Sequence, residues 1–398
     1  MKNRAFALII VLTAIASLIY YFESQKVSVP SEVDILDENS IESDIPAENS
    51  ESSGSNQAQV QERISDYIPD EKAIASKSAN FQQAPELRGI AGYINTDDSI
   101  SIANQKGKVV LVDFWTYTCI NCIRTLPYIK EWHDKYKDKG LVIIGVHTPE
   151  FEFEKDYNNV KQAAEKYRLQ YPIVQDNSYS TWRAYNNRFW PRKYLIDIDG
   201  FVRYDHIGEG AYAETEMKIQ ELLQERAERM GMEQDISMEI SRPEDAVSIT
   251  GNIGTPELYL GYDFTRGNFG NEEGLPANRI VDYTLPEKML DNYIYLEGKW
   301  KVNADNIESE EEGARLILNY DAKVLNIVAG SDSEAEIEVF IDGKKADEST
   351  KGGDIGTSGI AKVNEERLYN LADYEYGKHR IEIVAKGKRF KLYTFTFG

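Results

Sequence analysis

Apolar and polar positions follow two rhythms along this chain, and the change near residue 250 divides it. Val109–Trp115 and Leu141–Val146 are near-continuous apolar runs bounded by polar turns, the pattern of strands buried on both faces. After the first run, Ile123, Leu126, Ile129, Trp132 and Tyr136 recur at helical spacing. The same spacing returns in 156–169 (Val160, Ala163, Ala164, Tyr167) and across 213–230. Tyr171–Val174 reads as a short strand, and Asp176-Asn177-Ser178 as the cap of a helix through Tyr185. Lys193–Ile198 and Phe201–His206 flank Asp199-Gly200, a strong hairpin signal. Strands alternating with helices and closing on a hairpin predict an α/β sheet over 81–232, with one antiparallel edge.

Beyond 255 the period becomes two. Residues 257–262, 292–302, 315–320, 324–329, 334–341, 379–385 and 390–397 read as strands, with turns at Asp342-Gly343 and Lys386-Gly387. They predict an all-β sandwich of jelly-roll type over 255–398. The polar stretch 233–254, with Pro243, is a linker or clasp between the two domains. Tyr262, Phe264 and Phe269 lie in a Gly/Asn-rich loop, where rings either stack on a sugar face or pack half-buried.

The N-terminal pattern is different again. Lys2 and Arg4 precede an uncharged, predominantly apolar run of 18 residues, Ala5 to Phe22. A helix of that length spans about 27 Å, close to the ~30 Å hydrocarbon core. Residues 1–22 therefore read as a membrane anchor, with cleavage as a signal peptide at Ala14-Ile15-Ala16 the alternative. Either way the folded domains are expected to be extracytoplasmic: at the cell membrane with a single pass, or secreted after cleavage. Residues 23–80 are rich in Ser, Glu, Asp, Gln and Asn and read as a disordered acidic tether.

Charge narrows the partners. The chain has 398 residues and a net charge of −22, which argues against nucleic acid, because phosphate binding needs clustered Lys and Arg. It has two cysteines in all, too few for a disulfide-stapled scaffold. Both lie where the Val109–Trp115 run meets the next helix, Cys119 and Cys122, with two residues between them. A helix N-terminus stabilises a thiolate, so the pair reads as a redox-active dithiol. The four histidines (133, 147, 206, 379) are scattered and show no metal-ligand spacing. No cofactor beyond a Cys119–Cys122 disulfide is expected.

VDFWTYTCINC resembles the active-site segment of thioredoxins. Asp113, six residues before Cys119, matches their buried acid, and Pro127, five after Cys122, their helix proline. Trp190-Pro191 before KYLID is similar to their X-cis-Pro element. The helix and strand between Gly145 and Asp176 resemble the insertion of TlpA-like, redoxin-type extracytoplasmic thioredoxins. WTYTCINCIRTLPY and GVHTPEFEFE look closer still to the extracytoplasmic part of DipZ-type proteins, which pair such a domain with a carbohydrate-binding-module-like β domain. The resemblance implies a thioredoxin-like fold with a TlpA-type insertion, and thiol-disulfide exchange with protein thiols and disulfides. It implies Cys119 as nucleophile, Cys122 as resolving thiol, Asp113 as proton acceptor and Pro191 as a backbone edge for substrate. Trp115 and Trp190 either wall the site or belong to the core. DipZ-type proteins carry a multi-span, CcdA-like domain where this chain has one apolar run, so an electron donor similar to CcdA is expected to be a separate protein. A glycan- or partner-binding protein on a thioredoxin-like scaffold is the alternative from another class. Thr116, three before Cys119, echoes the T-x-x-C of peroxiredoxins and leaves a thiol peroxidase as a further alternative. His147 and Glu150, in HTPE at a strand end, sit where α/β active-site loops gather.

Overall fold

A computed structural model describes residues 67–247 and 253–398. The first domain is built on a six-stranded sheet: β1 (Gly92–Ile94), β2 (Val109–Trp115), β3 (Leu141–His147), β4 (Ile173–Gln175), β5 (Arg192–Ile196) and β6 (Val202–Ile207). Their order is β1-β4-β3-β2-β5-β6, with β2, β3 and β4 parallel and β1, β5 and β6 antiparallel to their neighbours. β2 lies at the centre with all seven residues buried, as its unbroken apolar run requires.

Alternation along β2 sets the two faces of the sheet. Val109, Leu111 and Trp115 join one core with α2 (Ile120–Tyr136) and α5 (Tyr212–Arg229), while Val110, Val112 and Phe114 join a second core on the other side. Asp113 belongs to the α2 face by the same alternation. Pro127 inside α2 removes a backbone bond at a cost of about 3 kcal/mol. Burial of Leu126, Ile129, Trp132 and Tyr136, each contributing roughly 1.5–3 kcal/mol, outweighs it. Two further helices complete the domain, α3 (Tyr157–Lys166) and α4 (Ser180–Ala184). Asp176 caps α4, accepting from the amides of Ser180, Thr181 and Trp182.

The tether reading of 23–80 is corrected at its end. Residues 71–78 form a helix, α1 (Glu71–Ser78), with Asp70 as N-cap. Its Lys77 ammonium reaches Asp197 (2.8 Å), Asp199 (2.6 Å) and Glu225 (2.6 Å), which Arg203 and Arg229 also pair. Composition hid this docking, because α1 is held by ion pairs and buries no whole residue. The apolar run 5–22 and the rest of the acidic stretch lie outside the described residues. Among the described residues no helix is long and apolar enough to cross a membrane.

The second domain has twelve strands: β7 (Leu258–Tyr259), β8 (Ile280–Tyr283), β9 (Ile294–Val302), β10 (Ile307–Ser309), β11 (Arg315–Asp321), β12 (Val324–Gly330), β13 (Ala335–Ile341), β14 (Lys344–Lys345), β15 (Ile360–Val363), β16 (Arg367–Asp373), β17 (Lys378–Ala385) and β18 (Lys391–Phe397). Seven match the alternating runs in the sequence; β8, β10, β14, β15 and β16 are short or polar and carry little periodic signal. One sheet runs β14-β13-β17-β11-β9 and the other β9-β10-β18-β12-β16, closing a jelly-roll-type sandwich around a single core. β9 belongs to both. Its first half pairs with β11, its second with β8 and β10, and the corner is Gly298 at φ +80°. A side chain there is strained, and a Cβ would meet Glu311 Oε1 at 2.8 Å.

The stretch 233–254 is a clasp as far as it is described. Ile236 and Ser241 are buried, and Ser241 donates through N and Oγ to the Glu216 carboxylate of α5. A Lys77→Ala variant is expected to lose about 1–3 kcal/mol of unfolding free energy and to become protease-sensitive around residues 67–80. Urea denaturation with limited proteolysis checks both.

Candidate active site

The end of β2 delivers the chain into a tight turn, Thr116–Thr118, and Cys119 becomes the N-cap of α2. Its Sγ accepts from the Cys122 amide at 3.3 Å. Both cysteines are free thiols; Cys119 is partly exposed and Cys122 only 1% exposed. Burial pushes the Cys122 thiol well up, and the neighbouring Cys119 adds to the shift. The two sulfurs are thus unequal, one meeting solvent and one kept protonated beneath it.

Asp113 is 1% exposed, on the sheet face that carries α2. Burial raises its carboxyl to about 7, and the Lys193 ammonium beside it opposes the rise. Lys193 lies directly opposite Asp113 in the β2–β5 register and is itself buried. Burial lowers its pKa, against the pull of Asp113 and Cys122, and its Nζ donates to Gly208 O at 3.2 Å. On the other side Asp113 pairs in register with Gly145 of β3. A Cβ at 145 would lie 3.0 Å from both Trp115 Nε1 and Tyr171 Cε2, so glycine leaves room for these two rings. Lys193 was not singled out in the sequence, where it reads as one polar position in a strand; the antiparallel register alone reveals it.

The Trp190–Pro191 bond is cis. Trp190 is half-buried, packs on Trp182 with ring centroids 4.2 Å apart, and donates through Nε1 to Thr148 O at 3.1 Å. Its neighbour Phe189, also unremarked in the sequence, is 49% exposed. Trp115 is different: it is 0% exposed and packs edge-on to His147, 5.3 Å between centroids. A ring with no accessible surface offers nothing to a docked chain, so of its two readings the core one holds and the substrate-wall one is withdrawn.

The HTPE loop is a support rather than a reacting group. His147 is fully buried, and burial lowers its pKa to about 3, leaving a neutral ring beneath Tyr117 and 3.3 Å from Thr116 Oγ1. Glu154, missed in the sequence because FEFEK reads as a solvated stretch, is fully buried. It accepts from Thr118 Oγ1 at 2.5 Å and from the amides of Glu150 and Phe151. Burial pushes its carboxyl up and these hydrogen bonds pull it back. It ties the turn before Cys119 to the loop after β3. That loop then meets the β domain: Phe151 and Phe153 pack with Tyr259, Phe264 and Tyr393. Glu150 accepts from Tyr259 Oη at 2.7 Å, and the same hydroxyl lies 3.1 Å from Glu257. Burial, with the nearby Glu257 charge adding to it, raises the Glu150 carboxyl to about 8. Phe264 stacks on Phe151 (5.6 Å) and Phe269 meets Tyr283 edge-on (5.7 Å), so these two rings follow the packing alternative rather than the sugar one.

Residues 81–205 match the AhpC/TSA family, and residues 255–398 the thioredoxin like C-terminal domain. Thiol-disulfide oxidoreductase ResA of Bacillus cereus is 32% identical over 123 residues, 31% of this chain and 68% of that protein. The chain belongs to the thioredoxin-like thiol-disulfide oxidoreductases. Protein DipZ of Mycobacterium tuberculosis is 38% identical over 322 residues, 79% of this chain and 43% of DipZ. The chain thus spans less than half the length of that relative. A thioredoxin-like protein solved in its oxidised form is 28% identical, with 36% of this chain and 97% of that one covered at a TM-score of 0.34.

Replacing Lys193 with Met removes the cation that favours the Asp113 carboxylate. Carbon-13 titration of the Asp113 carboxyl is expected near pH 7 in the native protein and higher in the variant; an unmoved midpoint would show that Lys193 does not set it.

Proposed function

We propose that this protein is a membrane-tethered, extracytoplasmic thiol-disulfide oxidoreductase that exchanges disulfides with client polypeptides. The observation that carries the reading is the stack of three groups at the end of β2: Cys119 partly exposed, Cys122 buried beneath it, and Asp113 buried on the same face.

The Cys119 thiolate attacks one sulfur of a client disulfide. That S–S bond breaks, a mixed disulfide forms at Cys119, and the first client thiolate leaves and is protonated. Cys122 then gives its proton to Asp113 and attacks Cys119 Sγ. The mixed disulfide breaks, the second client thiolate leaves, and a Cys119–Cys122 disulfide remains. Two electrons have passed to the client. For the first attack, Cys119 Sγ sits at the N-terminus of α2, where the Cys122 amide donates to it. The same steps in reverse oxidise a client dithiol. For net reduction a dithiol donor must restore the pair, and a separate membrane protein similar to CcdA fits a chain anchored through residues 5–22. Trp190 and Pro191 present the backbone edge along which a client strand lies.

Purified protein is expected to accelerate insulin reduction by dithiothreitol, with Cys119→Ser falling to the uncatalysed rate. Cys122→Ser is expected to accumulate a mixed disulfide visible on a non-reducing gel. A Cys119→Ser variant as fast as the native protein would sink the proposal.

A further inference from the structure

Beside the dithiol, α2 and the β domain enclose a cleft of about 510 Å³. Ile120 and Ile123 line one side; Val324 and Asn326 of β12, with Leu368 and Asn370 of β16, line the other. Ile120 directly follows Cys119, so one wall of the cleft is the chain neighbour of the nucleophile. Its volume falls within the ~300–1,000 Å³ of sites that enclose a small ligand or a short stretch of chain.

The β12–β16 pairing is irregular at this place. Leu325 pairs with Ala372 but Asn326 with Asn370, which leaves Leu371 as an extra residue. A bulge of this kind re-aims side chains. Here it brings two amides together, Asn370 Nδ2 donating to Asn326 Oδ1 at 3.0 Å. Asn326 is 2% exposed, and its own Nδ2 has no acceptor among the described residues. A buried donor left without a partner is unfavourable, and a ligand carbonyl at the same place removes that cost. Most charges around the cleft are paired: Lys130 with Asp245 and Arg367 with Asp354, both at 2.9 Å, Asp373 with Lys323 at 3.1 Å, and Arg124 with Glu209 at 3.5 Å, while Lys166 lies over the Tyr167 ring. A rim with most of its charges spent on one another suits a largely uncharged backbone segment better than a phosphate or an acidic chain.

We propose that this cleft seats the client polypeptide: an extended, largely uncharged segment flanking the client's reacting cysteine. Its apolar side chain packs on Ile120, Ile123 and Leu368, and a backbone carbonyl accepts from Asn326 Nδ2. The β domain is then half of the substrate site, and the protein prefers polypeptide disulfides to small ones. This rests on the thiol-disulfide exchange proposed above.

The test compares kcat/KM for insulin with kcat/KM for bis(2-hydroxyethyl) disulfide, in the full chain and in its Asn326→Ala and Leu368→Glu variants. The ratio of the two is expected to fall about five- to tenfold in each variant. A ratio held at the native value, whether both activities persist or both drop together, overturns the proposal. A native protein active on neither substrate would instead refute the exchange reaction, and the cleft's role with it. A second measurement leaves the cleft unaltered. A cysteine peptide with a photoreactive leucine beside the cysteine is trapped on Cys119 of the Cys122→Ser variant and irradiated. Labelling of residues 324–326 or 367–371 supports the assignment; labelling confined to residues 189–191 overturns it.

Discussion

A carboxyl group shut away from water beneath a thiol is the constraint on which this site depends. Asp113 sits in a strand that the sheet covers on both sides, so its charged form lacks the solvation a surface acid enjoys. The sequence around it answers that difficulty locally. Lys193 arrives opposite it in register, and Gly145 leaves room for the rings of Tyr171 and Trp115. The result is an acid held near 7, able to take a proton and release it again in the ordinary working range. A surface aspartate in the same chain would be ionised throughout and too weak a base for a thiol kept well above its usual range.

Much of this was legible in the residues, and the limits of legibility have physical causes. β2, α2 and the Asp199-Gly200 turn were plain because each is a local pattern: an apolar run, a helical stripe, a glycine at φ +91°. Cys119, Cys122, Asp113 and Pro191 came from motif spacing and a family resemblance, and the fold brings the cysteines and the acid into one stack. Lys193 and Glu154 stayed hidden because burial of a charged residue is decided by long-range register and loop docking, not by neighbours in sequence. Trp115 was ambiguous for the opposite reason: an aromatic beside a motif looks functional until the strand's second face is known to be covered. α1 escaped notice because its anchoring ion pairs join residue 77 to residues 197, 199 and 225.

The two domains share more than a linker. Glu154 joins the turn before Cys119 to the loop after β3, and that loop packs through Phe151 and Phe153 onto the β domain. The turn that precedes Cys119 is therefore coupled through this loop to the β domain. Glu150 and Glu257 share the Tyr259 hydroxyl at this junction. With burial holding Glu150 up to about 8, the interface keeps one carboxyl neutral at neutral pH and gains like-charge repulsion only above it.

In the proposed exchange Asp113 receives the Cys122 proton when the mixed disulfide is resolved. The direct measurement is the stopped-flow rate of that single step against pH, in the native protein and in Asp113→Asn. Below about 7 Asp113 already holds a proton and cannot accept another, so the native rate is predicted to rise through that pH and level off above it. The variant is predicted to lose that inflection and to be slower by about tenfold or more at neutral pH. A variant that resolves the mixed disulfide with the native profile would contradict the account.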